Sequence, residues 1–399
     1  MPTYKLKELV TEVISGEWGQ EPTNKFSGVK VIRTTNFSNT GRLDLHREVV
    51  KREIESEKVN KKKLLVDDII IEKSGGSLEQ PVGRVVFFEE TDIYLCNNFT
   101  SVLRPNKELV EPKYLMYLLF NLHKTRRVLK FQNKTTGIIN LKLDQYLQQT
   151  EVIIPSKEVQ QKIVKVLDKK FELINKRQSQ ITALDELTQS VFLEMFGDPV
   201  VNHKNLPKKK LGETGELKRG MSKHRPRNAP ELLGGPYPLI QTGDVSRAGL
   251  FIENYRSTYS ELGLKQSKMW EAGTLCITIA ANIAETSILK FDACFPDSVV
   301  GYKPFENMNT IFVHYWFSFF QKILENSAPE SAQKNINLKI LKDIEIITPS
   351  IKQQNEFAYK VNVIYKQKVK LNEAKNFMEE MYNLLLHKAF KGELFQEQK

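Results

Sequence analysis

The chain has 399 residues, with 59 Lys and Arg against 48 Asp and Glu, a formal net charge of +11 and a pI near 9.2. At roughly 150 residues per domain this length predicts two or three domains, and 40% hydrophobic with 27% charged residues is the balance of a chain that buries a core, which excludes disorder and collagen-like structure. No run approaches 18 uninterrupted apolar residues, as a membrane helix needs, and Met-Pro-Thr-Tyr-Lys-Leu-Lys-Glu at the start lacks the apolar stretch of a signal peptide, so the expected setting is cytoplasmic.

In chain order, the first segment is globular. Ile32-Arg33-Thr34-Thr35-Asn36-Phe37 leads into a polar stretch, and the runs Ile69-Ile70-Ile71 and Val82 to Phe88 read as strands bounded by Gly, Asn and Ser turns. A helical patch follows from Tyr114 to Leu122. Next come Ile139-Asn140-Leu141-Lys142 and the alternating run Glu151-Val152-Ile153-Ile154-Pro155-Ser156. From Val159 the apolar positions 163, 166, 174, 181, 184, 191 and 195 follow a heptad, interrupted at Lys170, Arg177 and Thr188, which predicts one long helix with Ser156 as its N-cap. It closes on Met195-Phe196-Gly197-Asp198, and a polar link runs from Gly197 to Pro207.

The same order then recurs at a period of about 195 residues. Ile240-Gln241-Thr242-Gly243-Asp244-Val245 answers Ile32 to Phe37, and Ala272 to Ile277 matches Val66 to Ile71 in pattern. A strand-like run from Leu275 to Ile279 and a helical patch from Ile311 to Leu324 follow. Ile336-Asn337-Leu338-Lys339, Glu345 to Ser350, and Gln353-Gln354 against Gln160-Gln161 complete the second copy. Its helix carries Phe357, Val361, Ile364, Leu371, Met378, Tyr382, Leu385 and Ala389, and closes on Ala389-Phe390-Lys391-Gly392-Glu393. Two helices of matching length with narrow apolar stripes are expected to pair antiparallel. Docking of each stripe on its own globular domain, or dimerisation, is the alternative. The predicted fold is α+β, a pseudo-twofold tandem repeat of β-rich domains and long helices. Its parts are a domain over 1–155, a helix over 156–197, a linker over 198–206, a second domain over 207–349 and a distal helix over 350–396.

The helical stretches 156–197 and 350–395 carry net charges of +1 and +3, leaving +7 on the globular parts. Lys61 to Lys63, Lys124 to Arg127, Lys208 to Lys210 and Lys218 to Arg227 are the basic clusters, and on duplicated domains they suggest a polyanion that both domains meet. Nucleic acid fits: Lys and Arg neutralise phosphates, while Arg, Asn, Gln, Ser and Thr on glycine-bearing loops can read base edges. The candidate contacts in the first half are Arg33, Thr35, Asn36, Lys73, Ser74, Ser77, Asn133, Lys134 and Thr135. In the second half they are Arg219, Lys223, Arg225, Arg227, Gln241, Asn282, Lys334 and Asn335.

Catalytic patterns are missing. There is no G-x-x-x-x-G-K-[ST], no G-x-G-x-x-G after a strand, and no Asn- or Asp-Pro-Pro-aromatic segment. Asp67-Asp68 and Asp297 lack nuclease spacing, and Cys96, Cys276 and Cys294 with six scattered histidines form no zinc pattern, so the cysteines are expected to be small buried hydrophobes and no metal site is expected. A recognition module is the expectation.

The tandem repeat, the Pro-Ser-x(2-3)-Gln-Gln start of each long helix, the closing Phe-Gly and Phe-Lys-Gly-Glu-Leu, and the I-x-T-x-[ND] and Ile-Asn-Leu-Lys segments resemble the specificity subunit of type I restriction-modification enzymes over essentially the whole chain. The resemblance implies two target recognition domains, each binding one half of a split double-stranded DNA sequence. It implies two spacer helices that set the gap and dock two methyltransferase subunits, which use S-adenosylmethionine. It also implies motor-nuclease subunits using ATP and magnesium, a non-catalytic role for this chain, and no membrane partner. The competing readings are a coiled-coil scaffold with duplicated protein-binding domains, and the recognition part of a related two-component methyltransferase.

Overall fold

The computed structural model describes residues 2–24, 27–77, 79–135, 138–280, 283–319 and 336–395. The chain divides into two compact units, Met1–Arg177 with Ala374–Lys399, and Gln178–Glu373. Both divisions fall inside the long helices Lys157–Phe196 and Ile351–Phe390, so each unit takes one end of each helix. The fold class is α+β, as the sequence predicts.

In the first unit a four-stranded antiparallel sheet runs in the order Val10–Ser15, Thr100–Pro105, Ile69–Glu72, Val85–Phe87. A second sheet sets Val29–Ile32 between Val50–Arg52, antiparallel, and Tyr94–Cys96, parallel. The three isoleucines form an unbroken apolar run because both faces of their strand are covered. Ile69 and Ile71 enter the core built on helix Pro112–Lys124, and Ile70 enters a smaller core with Phe88, Cys96 and Val102. Strand Val85–Phe87 is shorter than the predicted run because Gly83, at φ +103°, turns the chain just before it.

The second unit repeats the plan. Its main sheet runs Gly215–Arg219, Val299–Pro304, Leu275–Thr278, Thr286–Leu289, Phe251–Ile252. Leu275 and Ile277 face the large core with helix Thr310–Phe317, and Cys276 faces a smaller one with Trp270 and Phe295. A parallel pairing of Leu239 with Cys294 takes the place of Ile32 with Cys96. All three cysteines are buried and free, the small hydrophobes that were expected. Residues 320–324 of the second predicted helical patch lie outside the described residues.

Each long helix has 40 residues, about 60 Å at 1.5 Å per residue, and one 194-residue offset relates Lys157 to Ile351 and Phe196 to Phe390. Ser350 caps the second, its Oγ accepting from the Gln353 N–H at 3.4 Å. On the first helix Val159, Ile163, Ile174 and Ile181 are buried as the heptad predicts, but Leu167, Thr188, Phe192 and Phe196 are buried where 166, 184, 191 and 195 were expected. On the second, Leu386 is buried in place of Leu385. A seam facing one partner helix follows a 3.5-residue period, whereas a helix end packed on a globular body buries a wider stripe, here as i, i+4 pairs. Thr188, expected to interrupt the seam, hides its hydroxyl by donating to the Leu184 carbonyl at 2.9 Å.

Within each unit the two helix segments run antiparallel. In the first, Phe171 lies 6.4 Å from Tyr382 between ring centroids, while Val159 and Ile163 share a cavity wall with Ala389 and Phe390. In the second, Lys368 Nζ meets Asp185 at 2.5 Å, and Phe196 meets Phe357 at 5.5 Å. Helix pairing and docking on a domain therefore both occur.

Phe192 sits 5.1, 5.6 and 5.4 Å from the rings of Phe196, Phe312 and Phe357. Phe192→Ala is expected to lower stability by about 3–5 kcal/mol, and Leu193→Ala, on the half-exposed neighbour, to stay within about 0.5 kcal/mol. Urea unfolding of the two variants measures the difference, and equal losses would contradict this seam.

Candidate nucleic-acid interface

The polar loops grow from the ends of the core strands. In the first unit, strand Ile69–Glu72 runs on through Lys73 into the short strand Ser74–Gly76, which pairs with the hairpin Gln132–Thr135 and Ile138–Leu141. Two segments some sixty residues apart in sequence thus share one three-stranded sheet, with Ser74 Oγ donating to Asn140 Oδ1 at 2.6 Å. Gly76 is required there, because a Cβ would lie 2.7 Å from the Val82 nitrogen and 2.8 Å from the Gln80 carbonyl. Asn133 is exposed on the hairpin, and Ser77 closes a turn by accepting the Gln80 N–H on its hydroxyl at 3.0 Å. The side chains of Lys134 and Thr135 lie outside the described residues.

Lys73 is the distinctive cation of this sheet. Its Nζ donates to Ser15 Oγ at 3.2 Å, it makes no ion pair among the described residues, and burial lowers its pKa from the ordinary lysine range. Beneath it, Glu72 is held by a bidentate pair from Arg84, at 2.8 and 2.9 Å, and the same guanidinium reaches the Thr34 carbonyl at 3.5 Å. Arg84 so fixes the Arg33 turn relative to the Lys73 strand. Sequence reading missed it, since an arginine inside an apolar strand run carries no loop signal.

The Arg33 turn and its counterpart are built alike. Arg33 N–H donates to Asn36 Oδ1 at 3.0 Å, and Gln241 N–H donates to Asp244 Oδ2 at 3.0 Å, so each leads into a short helical turn, Thr34–Asn36 or Thr242–Ala248. Asn36 is fully buried, its amide donating to the carbonyls of Asp44 and Glu48 at 3.4 and 3.2 Å, which leaves it nothing to offer a ligand. Thr35 and Gln241 are exposed, and Arg33 is half-buried with Glu48 at 3.3 Å.

In the second unit three arginines converge on Asp297. Arg219 Nε donates to its carbonyl at 2.8 Å, Arg227 meets the carboxylate at 2.6 Å, and Arg225 lies at 3.5 Å while also donating to the Ser222 carbonyl at 2.6 Å. Lys223 is exposed and makes no ion pair among the described residues. The loop leaves its strand at Gly220, where a Cβ would come within 2.3 Å of the Phe295 carbonyl; Gly16 holds the same place in the first unit, 2.0 Å from the Asn97 carbonyl. No local pattern announces Asp297, because its partners Arg219, Arg225 and Arg227 are all distant in sequence. Asn282, Lys334 and Asn335 lie outside the described residues.

Burial pushes the Cys96 thiol up to about 11 and drives His314 down to about 4, keeping both neutral at pH 7. Among the described residues no three His, Cys, Asp or Glu side chains gather as a metal site, and no helix is long and apolar enough to cross a membrane.

The family model for the type I restriction modification DNA specificity domain matches twice, at residues 1–183 and 204–378. A Methanocaldococcus jannaschii protein, provisionally named as the specificity subunit of the type I restriction enzyme MjaX, is 24% identical over 403 residues, covering 96% of this chain and 92% of that one. The EcoBI specificity subunit of Escherichia coli is 28% identical over 167 residues, 39% of this chain and 35% of its own. Among solved structures, a chain from a study of assembly and conformational transition in a type I R-M system aligns with a TM-score of 0.59 at 18% identity, covering 98% of each chain. The S subunit of the M. genitalium type I system aligns with a TM-score of 0.56 at 15% identity, covering 98% of this chain and 96% of that one. With duplicated β-rich bodies, paired long helices and two matches that together span most of its length, the chain belongs to the type I restriction modification DNA specificity domain family.

Proposed function

We propose that the chain is the DNA-recognition subunit of a type I restriction-modification complex, each domain reading one half of a two-part target. The duplication carries this reading: the specificity-domain model matches twice, and each unit presents a polar, cation-bearing loop from the end of a core strand, Lys73 after Ile69–Glu72 in the first and Lys223, Arg225 and Arg227 after Gly215–Arg219 in the second. Lys73 and Lys223 are assigned to phosphates, since a cation without a carboxylate partner is the group that a phosphate stabilises most. Arg33, Thr35 and Gln241, with Ser77, Asn133, Lys134 and Thr135, are assigned to base edges or their margins. Asn36 and Ser74 are assigned to internal bonds that shape these loops. Asn282, Lys334 and Asn335 are base-contact candidates on the sequence argument alone.

The chain is non-catalytic on this reading. Two methyltransferase subunits, using S-adenosylmethionine, and motor-nuclease subunits, using ATP and magnesium, supply the chemistry. Tyr359, Val363, Phe377 and Leu384 on one long helix, and Leu173 and Leu187 on the other, are large apolar side chains left exposed, which suits helices that dock partners as well as setting the gap between half-sites.

Three outcomes test this. Exchanging residues 1–155 for the equivalent part of a relative should change one half of the methylated sequence and leave the other intact; a change in both halves would mean that the domains read jointly. Lys73→Ala should weaken binding to cognate and scrambled duplexes alike and flatten the salt dependence by about one unit of log K per log salt. Loss on the cognate duplex alone would move Lys73 to the base-reading set. Asp297→Asn should release Arg225 and Arg227 and steepen the salt dependence on any duplex by about one unit. An unchanged slope would remove that loop from the phosphate-contacting surface.

A further inference from the structure

Two buried glutamines stand at one place in both repeats, and no reading above gives them a role. Gln160 is 1% exposed and Gln354 is 0% exposed. Each lies five residues after the proline that precedes its helix, Pro155 or Pro349, and the two are 194 residues apart, the offset of the helices themselves. The Gln-Gln pairs seen in the sequence are thus out of step by one: the first member is the buried one in the first copy, the second member in the second.

Their contacts are the same. Gln160 Oε1 accepts the Glu111 N–H at 2.7 Å, and its Nε2 donates to the carbonyls of Pro155 at 2.9 Å and Leu109 at 3.4 Å. Gln354 Oε1 accepts the Asn309 N–H at 2.9 Å, and its Nε2 donates to the carbonyls of Pro349 at 2.8 Å and Asn307 at 3.2 Å. Glu111 and Asn309 are the N-cap residues of the short core helices Pro112–Lys124 and Thr310–Phe317. One side-chain amide therefore joins the start of a core helix to the start of a long helix, satisfying backbone groups at both.

An apolar side chain could fill the same volume. It would hold the body and the helix by contact area, which tolerates sliding, whereas three hydrogen bonds from one planar amide are directional and fix their angle. That angle matters along a long lever. A tilt of about 5° at the joint displaces a point about 30 Å along the helix by roughly 2.6 Å, most of the rise of about 3.4 Å of one DNA base pair.

We propose that Gln160 and Gln354 are positioning residues that lock each recognition body at a set angle on its long helix and thereby make the gap between half-sites strict. This rests on the reading of the chain as a two-half-site DNA binder. Wild-type full-length chain is first used to select duplexes from a randomised pool. A two-part target with one gap length supports that reading, and a continuous or absent target overturns it before the glutamines are tested.

Affinity is then measured on the selected target and on versions with the gap one base pair shorter or longer. Gln160→Met and Gln354→Met keep the volume and remove the amide. Gln160→Glu and Gln354→Glu keep an acceptor and stand in wherever a Met variant does not fold. The variants should narrow the ratio between the preferred gap and its neighbours at least threefold. Leu103→Ala, in the first core and chosen for an equal or larger fall in melting temperature, should leave that ratio unchanged. A parallel loss of affinity on all three gaps, with the ratio intact, would reduce the glutamines to stabilising the fold and overturn the proposal.

Discussion

Neither globular body closes its core alone, and burial of the helix ends is the interaction on which the rest of the molecule depends. In the first unit Val159, Ile163 and Leu167 from one helix and Leu386 and Ala389 from the other lie in the same apolar cluster as the core helix and sheet. In the second, Phe192 and Phe196 meet Phe357 and Val361 around Phe312. Fully burying each large side chain contributes about 1.5–3 kcal/mol, so the helices are part of each core and not appendages to it. A loop at the end of a core strand is consequently held to a helix through packed side chains, the condition under which a spacer can convey distance.

The two units reach this end with different chemistry at equivalent points. In the first, Arg42 bonds the Tyr117 hydroxyl at 2.9 Å and Asp168 on the long helix at 2.6 Å, Tyr117 donates to the same carboxylate at 2.6 Å, and the guanidinium lies 5.3 Å from the Phe171 ring. In the second, Phe251 meets Tyr365 at 5.0 Å between centroids, with Lys290 over Phe251 at 4.5 Å and near Glu253 at 3.7 Å. A half-buried charged clamp and an aromatic contact do the same mechanical work. The clamp draws its strength from a partly desolvated charge pair, which salt screens less than an exposed one.

Much of this was legible in the sequence because repetition and periodicity are written into it. The Ile-Asn-Leu-Lys echo and the paired heptads give the architecture, and Ile69 to Ile71 announces a strand covered on both faces. The seam register was misjudged by one position at 166, 191, 195 and 385, because a heptad describes a helix facing a helix and says nothing of the body on which its end rests. At the candidate interface, the Lys73 loop and the 132–137 hairpin were both visible as polar glycine-bearing segments, but their union in one sheet is long-range pairing that composition does not encode. Asn36 looked like an amide on a loop and is a buried clamp. The roles of Asp297 and Arg84 were not legible for the opposite reason: Asp297 stands out in the sequence only as an acid without a nuclease partner, Arg84 sits in an apolar run, and only folding brings their charged partners to them.

Gly16 and Gly220 have a consequence for how such a chain can change. At both, the first tie to the neighbouring strand is a main-chain hydrogen bond: the Gly16 N–H donates to the Thr100 carbonyl at 3.1 Å and the Gly220 N–H to the Val299 carbonyl at 2.8 Å. Beyond the pin the two loops carry opposite character, Glu17, Trp18 and Glu21 in one and Lys223, Arg225 and Arg227 in the other. The hydrogen bond at each glycine is set by the backbone, and it requires only that the position itself carry no side chain. What varies beyond each glycine is therefore the set of side chains that ties the loop back, Lys62 with Glu17 in one unit and Asp297 with Arg225 and Arg227 in the other, so a new loop grafted after the glycine keeps its backbone pin and needs its own ion-pair partner.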